Sequence, residues 1–459
     1  MNLLSARFFQ ARTETVRSAE ISPRVAMIPV ALTSVEMKRG RKMMNLEGSL
    51  WAVMNAVTAG TVVTAFALQL HADDFVIGLL SSLPLLAAMV QLWTPQLVAR
   101  FGGRKRICLV TAALARTLWV PATLLAVAVW LWPGQYTLWL FLFLGLVTLF
   151  AAFTSIVGTA WLSWAGTVVP IEQRANYFAR RSMLVGFIGL VASLLIGAFL
   201  DWWSEPTATG HQPHPGAYIV LFLVAAGFGI ATVFVLRRTP DLVVTENVAR
   251  PRLRDSLTST WRHLALRRYL IFRAFWSFSV GLVVPYYTVY MLQNLKMSFT
   301  EIFILQNIGA AVGLFTLPLW GRIIEKHGCS RVMFWTSLIK VFYVIAWAFV
   351  TPGQPFWPLA VLHFTLLVDA GLNLAANNLL MNLMPDNRAG NIGYISAFTA
   401  ITSVFTAGGP FLAGLLIGLI AQTQLTAFGF AFGALQLMFI LSGILRLLSL
   451  GLFRGFKEM

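Results

Sequence analysis

Runs of twenty or more mostly apolar residues recur along almost the whole chain. They fall at about 46–70, 74–98, 107–132, 138–169, 182–203, 217–236, 269–294, 299–321, 332–351, 356–384, 393–421 and 424–452. Each is long enough to cross ~30 Å of hydrocarbon as a helix. Lipid offers no partner to a backbone N–H or C=O, so such segments must satisfy their own backbones. Barrel strands would be about ten residues long and alternate polar with apolar residues, a pattern that is not seen. A large soluble protein is excluded by composition. The chain is 58% hydrophobic and 11% charged, against about 25% charged in soluble proteins. The expected fold class is an all-α membrane protein with twelve transmembrane helices.

The formal charge of +17 would by itself suggest nucleic acid or an anionic surface. Its distribution gives another answer. Lys and Arg concentrate in residues 1–45, in loops 99–106 and 170–181, in 237–273, in 321–331 and near the C-terminus, whereas the intervening loops carry only Lys296. Basic loops thus alternate with loops nearly free of Lys and Arg. The positive-inside rule then places both termini and the central linker in the cytoplasm. No nucleic-acid partner is expected.

The stretch 237–268 is charged, contains two prolines and separates two sets of six segments. The expected organisation is a basic tail over 1–44, a six-helix bundle over 45–236, the linker 237–268 with a short amphipathic helix from about 253, a second bundle over 269–452, and a tail over 453–459. The tail run AMIPVALTSV is short and broken by proline, unlike a cleavable signal peptide. The doublet Met43-Met44 is an alternative start. Two cysteines and six scattered histidines suggest neither a disulfide framework nor a metal site. No cofactor is expected.

The two halves repeat. The loop QLVARFGGRKRI, 96–107, matches GRIIEKHGCSRV, 321–332, with Gly103 against Gly328 and Arg106 against Arg331. Likewise PIEQRANYFARR from Pro170 matches PDNRAGNIGY from Pro385, with Arg174 against Arg388. Two loops repeating at nearly one offset indicate a parallel duplication of six helices. With these features the chain resembles the major facilitator superfamily. The family's signature after its second helix is G-x-x-x-D-(R/K)-x-G-(R/K)-(R/K). Gly321, Glu325, Lys326 and Gly328 match it in the second half. The first half keeps Gly103, Arg104 and Lys105 but has Gln96 and Arg100 where the family has Gly and Asp.

The resemblance implies two pseudo-symmetric bundles that rock about a central cavity lined by helices 1, 4, 7 and 10. It also implies gating contacts at the cytoplasmic end. Where the motif Asp would face the eleventh helix, this chain has Arg100, so Arg100 or Arg104 is expected to pair with Asp386. A second pair is expected between Glu325 and Arg174 or Arg181. The bland alternative is that all of these are solvated charges that only set topology.

Polar residues inside the apolar runs are the candidates for function. A charge at the bilayer centre costs at least ~2.5 kcal/mol on insertion scales, so it persists only when it faces protein or water. In LLVDAGLNLAANNLLMN, 366–382, Asp369 is the one carboxylate placed deep by the sequence. At 100° per residue, Thr365, Asp369, Asn373 and Asn377 span a face about 120° wide, while Asn378 and Asn382 fall roughly opposite. Asparagine offers donors and an acceptor, which suits a neutral or zwitterionic ligand. Asp369 is the candidate proton carrier, because burial penalises a charged carboxyl. The alternative is hydrogen bonding between helices.

Supporting candidates for substrate contact are Asn55 in the first segment, Trp161 in the fourth, and Tyr286, Tyr287 and Tyr290 in the seventh. The tyrosines could equally be an interfacial aromatic belt. Arg116 and Lys340 lie at similar depth in segments 3 and 9, which the resemblance places at the periphery; the favoured explanation is snorkelling or an internal pair, with anionic substrate binding the lesser alternative.

No phosphate-binding G-x-x-x-x-G-K-(S/T) and no nucleophile constellation appears, so an ATP-driven pump or an enzyme is not expected. The expected function is a monomeric secondary transporter of the inner (plasma) membrane. It would move a small polar or amphipathic solute by alternating access, with proton coupling by symport or antiport. The other class in play is a transporter-like sensor, lipid-handling or assembly protein without flux.

Overall fold

Twelve spans appear in the computed structural model, which describes residues 33–241, 261–384 and 388–453 apart from 59, 208, 209 and 428. They are α1 (Ser34–Gln69), α2 (Asp74–Phe101), α3 (Arg104–Leu131), α4 (Tyr136–Val168), α5 (Asn176–Trp202), α6 (Pro215–Arg238), α7 (Leu264–Asn294), α8 (Phe299–Gly313 with Thr316–His327), α9 (Cys329–Trp347), α10 (Phe356–Leu383), α11 (Ala397–Ile420) and α12 (Ala434–Phe453). The expected all-α fold is therefore observed. Three helices begin well before their apolar runs: α1 starts at Ser34, α5 at Asn176 and α7 at Leu264. These extensions carry basic residues: Lys38, Arg39, Arg41 and Lys42 in α1, Arg180 and Arg181 in α5, and Arg267 and Arg268 in α7. The amphipathic helix expected from 253 falls mainly outside the described residues.

Several spans are broken, each with a visible cause. The two pieces of α8 meet at 48°, just ahead of Pro318, whose ring clashes with the preceding turn. In α10 the helix tightens at Thr365 and Leu366, whose N–H groups bond to Leu362 and His363. The Thr365 hydroxyl also donates to the Leu362 carbonyl (2.7 Å), competing with the regular helical bond.

Internal duplication extends to backbone geometry. Gly103 (φ 129°, ψ 155°) and Gly328 (φ 80°, ψ 155°) each open the helix that follows its loop. A residue with a Cβ is strained at such φ, so both loops turn on glycine. Two short hairpins also correspond: β1 (Ser204–Thr207) with β2 (Gly210–Pro213) between α5 and α6, and β3 (Leu425–Ala427) with β4 (Phe430–Phe432) between α11 and α12. Both cap the end of the molecule opposite the basic loops.

The bundles are joined at that same end. Asp201 at the end of α5 accepts from the backbone N–H groups of Phe299 (2.7 Å) and Thr300 (2.8 Å). Its carboxylate thus satisfies orphan donors at the start of α8, where the helix dipole favours a negative charge. Tyr286 of α7 donates to the Asp74 carbonyl (3.0 Å), and Ser82 of α2 to the Ala407 carbonyl (2.7 Å). Deeper, Gln306 bonds Thr61 and Asn307 bonds Ser193. The α2–α11 crossing needs small residues: a Cβ on Gly78 would lie 2.4 Å from the Pro410 carbonyl oxygen, and one on Gly414 2.8 Å from that of Asp74.

Candidate functional site

The site is built where α7, α9, α10, α11 and α12 converge. The break in α10 places Asp369 in the first turn of its second piece, Leu367–Leu383. Lys340 of α9 donates to the Asp369 carboxylate at 3.0 Å, the two side chains being 11% and 40% exposed. The Lys340 ammonium also stands 4.2 Å from the centre of the Tyr343 ring, a favourable cation–aromatic placement. Arg446 of α12 is 2% exposed and donates to the Lys340 carbonyl at 3.3 Å. Among the described residues its Nε has no hydrogen-bond partner, and neither does Nε of Arg273 on α7.

These groups surround a cavity of about 370 Å³. From α7 come Arg273, Trp276, Ser277 and Tyr287; from α9, Lys340 and Tyr343; from α10, Asp369 and Asn373; from α11, Thr406; from α12, Arg446. A cavity of this size lies at the small end of the range for organic ligands. One wall is aromatic: Tyr287 packs on Trp347 (4.6 Å between ring centres) and stacks on Phe439 (5.3 Å). Among the described residues no cluster of His, Cys, Asp and Glu could hold a metal ion.

The N-terminal bundle holds a second charged group. Glu47 of α1 is 4% exposed and pairs with Arg181 of α5 at 3.2 Å. Arg181 also donates to the Met44 carbonyl, and its guanidinium lies 4.3 Å from the centre of the Trp161 ring. Arg116 of α3, 1% exposed, donates to the Thr154 hydroxyl at 3.4 Å. A shallow cavity of about 520 Å³ on α2 and α4 is lined by Gln91, Ser155, Gly158, Thr159, Leu162 and Ser163, with no charged side chain.

Of the candidates read from sequence, the structure brings Asp369, Asn373 and Tyr287 together at the C-terminal cavity. Asn377 is exposed on the same stripe, toward the basic-loop end. Asn382, on the opposite stripe, contacts the Cys329 sulfur (4.0 Å). The Tyr290 hydroxyl donates to Val350 (2.6 Å), and that of Tyr286 to Asp74 and Pro410. Asn55 is half-buried on α1, and Trp161 lies on Arg181 in the other bundle. Three charged cavity residues were not singled out from sequence as site residues: Lys340, Arg446 and Arg273. Lys340 had been set at the periphery, but its side chain reaches α10.

At the basic-loop end, Arg174 donates to the Val169 carbonyl at 3.1 Å and to Gly166. Arg181 is held by Glu47. Among the described residues Glu325 forms no ion pair with either. Glu325 and Lys326 are exposed, and Gly321 lies on the last turns of α8. Arg100 is exposed beside Phe101, and Arg104 approaches the Ser163 carbonyl (3.5 Å). Asp386 lies outside the described residues.

Residues 48–410 match the profile of the Major Facilitator Superfamily. The chain belongs to that superfamily. The resemblance read from the two duplicated loops is thereby borne out. Solved structures of superfamily members share the fold. A mutant of the nucleoside transporter NupG superposes with a TM-score of 0.68 at 11% identity, covering 92% of this chain and 100% of that one. A D-xylose–proton symporter gives 0.66 at 13% identity, over 92% and 98%. A bacterial homologue of the human lysosomal transporter Spinster, inward-facing and unoccupied, gives 0.62 at 17%, over 92% and 97%. No curated protein matches the chain in sequence. In superfamily terms the structure is a multi-spanning membrane transporter with its two bundles joined at one end.

Proposed function

We propose that this chain is a secondary active transporter that binds its solute in the C-terminal cavity and couples movement to protons through Asp369. The observation that carries the reading is the Lys340–Asp369 pair. It is an ion pair on the wall of a cavity, inside a fold whose halves are joined at the end away from the basic loops. A charge at this depth is costly unless water or a ligand reaches it, and Asp369 is 40% exposed to such a space. Protonating Asp369 would remove the attraction that holds Lys340. A coupling step of this kind needs a carboxyl that is accessible and has a partner to release.

In this reading the basic-loop end is cytoplasmic by the positive-inside rule, and the protein sits in the inner (plasma) membrane as a monomer. The D-xylose–proton symporter of the same fold supports proton coupling as a mode this scaffold can host. The test is a ligand-stabilisation screen on purified protein, followed by counterflow of any labelled hit in proteoliposomes. Exchange of label supports the transporter. A hit that binds tightly but is never exchanged would move the assignment to a sensor or lipid-handling protein.

A further inference from the structure

Charge within the cavity says what kind of solute it takes. Its lining carries three cations, Arg273, Lys340 and Arg446, and one carboxylate, Asp369. Asp369 is engaged by Lys340 at 3.0 Å. That leaves two guanidinium groups without an ion-pair partner in the lining. Arginine does not shed its proton in proteins, so these charges cannot be relieved by neutralisation. Arg446 is 2% exposed, and its Nε, like that of Arg273, has no hydrogen-bond partner among the described residues. Leaving a buried cation uncompensated costs several kcal/mol in a medium of low polarity.

We infer that the cavity is built for a small organic anion, with a carboxylate or phosphate head held between Arg273 and Arg446 and a flat body against Trp276, Tyr287 and Tyr343. This rests on the C-terminal cavity being the transport site, and it narrows the solute class. A guanidinium presents parallel donors that fit a carboxylate or phosphate edge-on. The aromatic wall offers apolar faces with polar tips. A neutral sugar or amide would satisfy Asn373 and Ser277 yet bring no negative charge to either guanidinium. Lys340 joins the two functions: it can stay on Asp369 or, when Asp369 is protonated, turn to the anion. The solute and the proton would then share one lysine.

The experiment measures thermal stabilisation of the purified full-length protein by benzoate and phenyl phosphate. Controls are the neutral analogues benzamide and benzyl alcohol, inorganic phosphate, and chloride at matched ionic strength. The expected result is that benzoate or phenyl phosphate raises the melting temperature while the neutral analogues and the simple ions do not. In Arg273→Gln the concentration for half-maximal stabilisation should rise roughly tenfold, the loss of one charged hydrogen bond. Should that variant not fold, Arg273→Lys keeps the charge without the fork and should bind severalfold more weakly.

Equal stabilisation by the neutral analogues, no stabilisation by either organic anion, or wild-type binding in the Arg273 variant would overturn the inference. Inorganic phosphate or chloride acting as well as the organic anions would reduce the site to a simple ion site and would also overturn it. The transport reading fails separately. A neutral solute exchanged in counterflow sinks the anion and leaves the transporter. An anion that binds without exchange does the reverse.

Discussion

The two bundles place similar residues at corresponding positions and use them differently. Arg116 on α3 corresponds to Lys340 on α9, and Thr154 on α4 to Asp369 on α10, at offsets of 224 and 215. Both pairs are in contact, at 3.4 Å and 3.0 Å. In the N-terminal bundle the cation reaches a hydroxyl and is sealed at 1% exposure, next to a Glu47 that is 4% exposed. In the C-terminal bundle the hydroxyl is replaced by a carboxylate, and the pair borders a cavity. Duplication thus supplied a scaffold with a polar contact between the third and fourth helices of each half. In the proposed reading, function resides where that contact is an ion pair bordering a cavity. The N-terminal version acts as a closed brace.

Four experiments break or sharpen that contrast. The largest effect is expected from Arg181→Met, which strands the Glu47 carboxylate in the closed cluster. Breaking a buried pair from one side costs about 3–5 kcal/mol, so the variant should unfold at markedly lower temperature in a melting assay. If its melting temperature matches wild type, the cluster is not a brace. Next is Gly78→Leu at the α2–α11 crossing, where a Cβ would already lie 2.4 Å from the Pro410 carbonyl. Spin labels on the two helices should report a wider separation at that end, with solute uptake reduced at least tenfold.

Smaller effects separate the cavity wall from its surroundings. Asn373→Ala should weaken solute binding by about 1 kcal/mol, the worth of one hydrogen bond, as read by titration of stabilisation. Asn377→Ala should change it by less than half of that. A reversal would shift the site toward the basic-loop end. The smallest contrast lies within one helix turn. Tyr287→Phe should alter affinity with little change in melting. Tyr290→Phe, losing its bond to Val350, should cost about 1 kcal/mol of stability and leave affinity unchanged.

Much of the fold was legible in the sequence because bilayer thickness fixes helix length and the Lys/Arg alternation separates the loops. The duplication was visible in Gly103 and Gly328, whose positive φ explains why the same residue type recurs. Asp369 was legible because a lone deep carboxylate is costly. Its partner was not, since depth along α9 does not say which way Lys340 points. Glu47 and Arg273 were missed for a shared reason. Both lie within a few residues of the edge of an apolar run, whereas α1 begins at Ser34 and α7 at Leu264. Each therefore lies several turns inside its helix. Counting from the basic residues that precede each apolar run would have found them. The break in α10 gave no proline or glycine signal; it comes from Thr365 turning its hydroxyl back on the chain.

Coupling of solute movement to protons through the Lys340–Asp369 pair is the proposal on which the transport reading turns. The most direct test is uptake into proteoliposomes of a solute identified by stabilisation, with and without an imposed proton gradient, for wild type and Asp369→Asn. The account predicts that a gradient drives accumulation in wild type, and that Asp369→Asn still exchanges label but no longer accumulates it. Uptake that ignores the gradient, or that Asp369→Asn leaves equally gradient-driven, would contradict it.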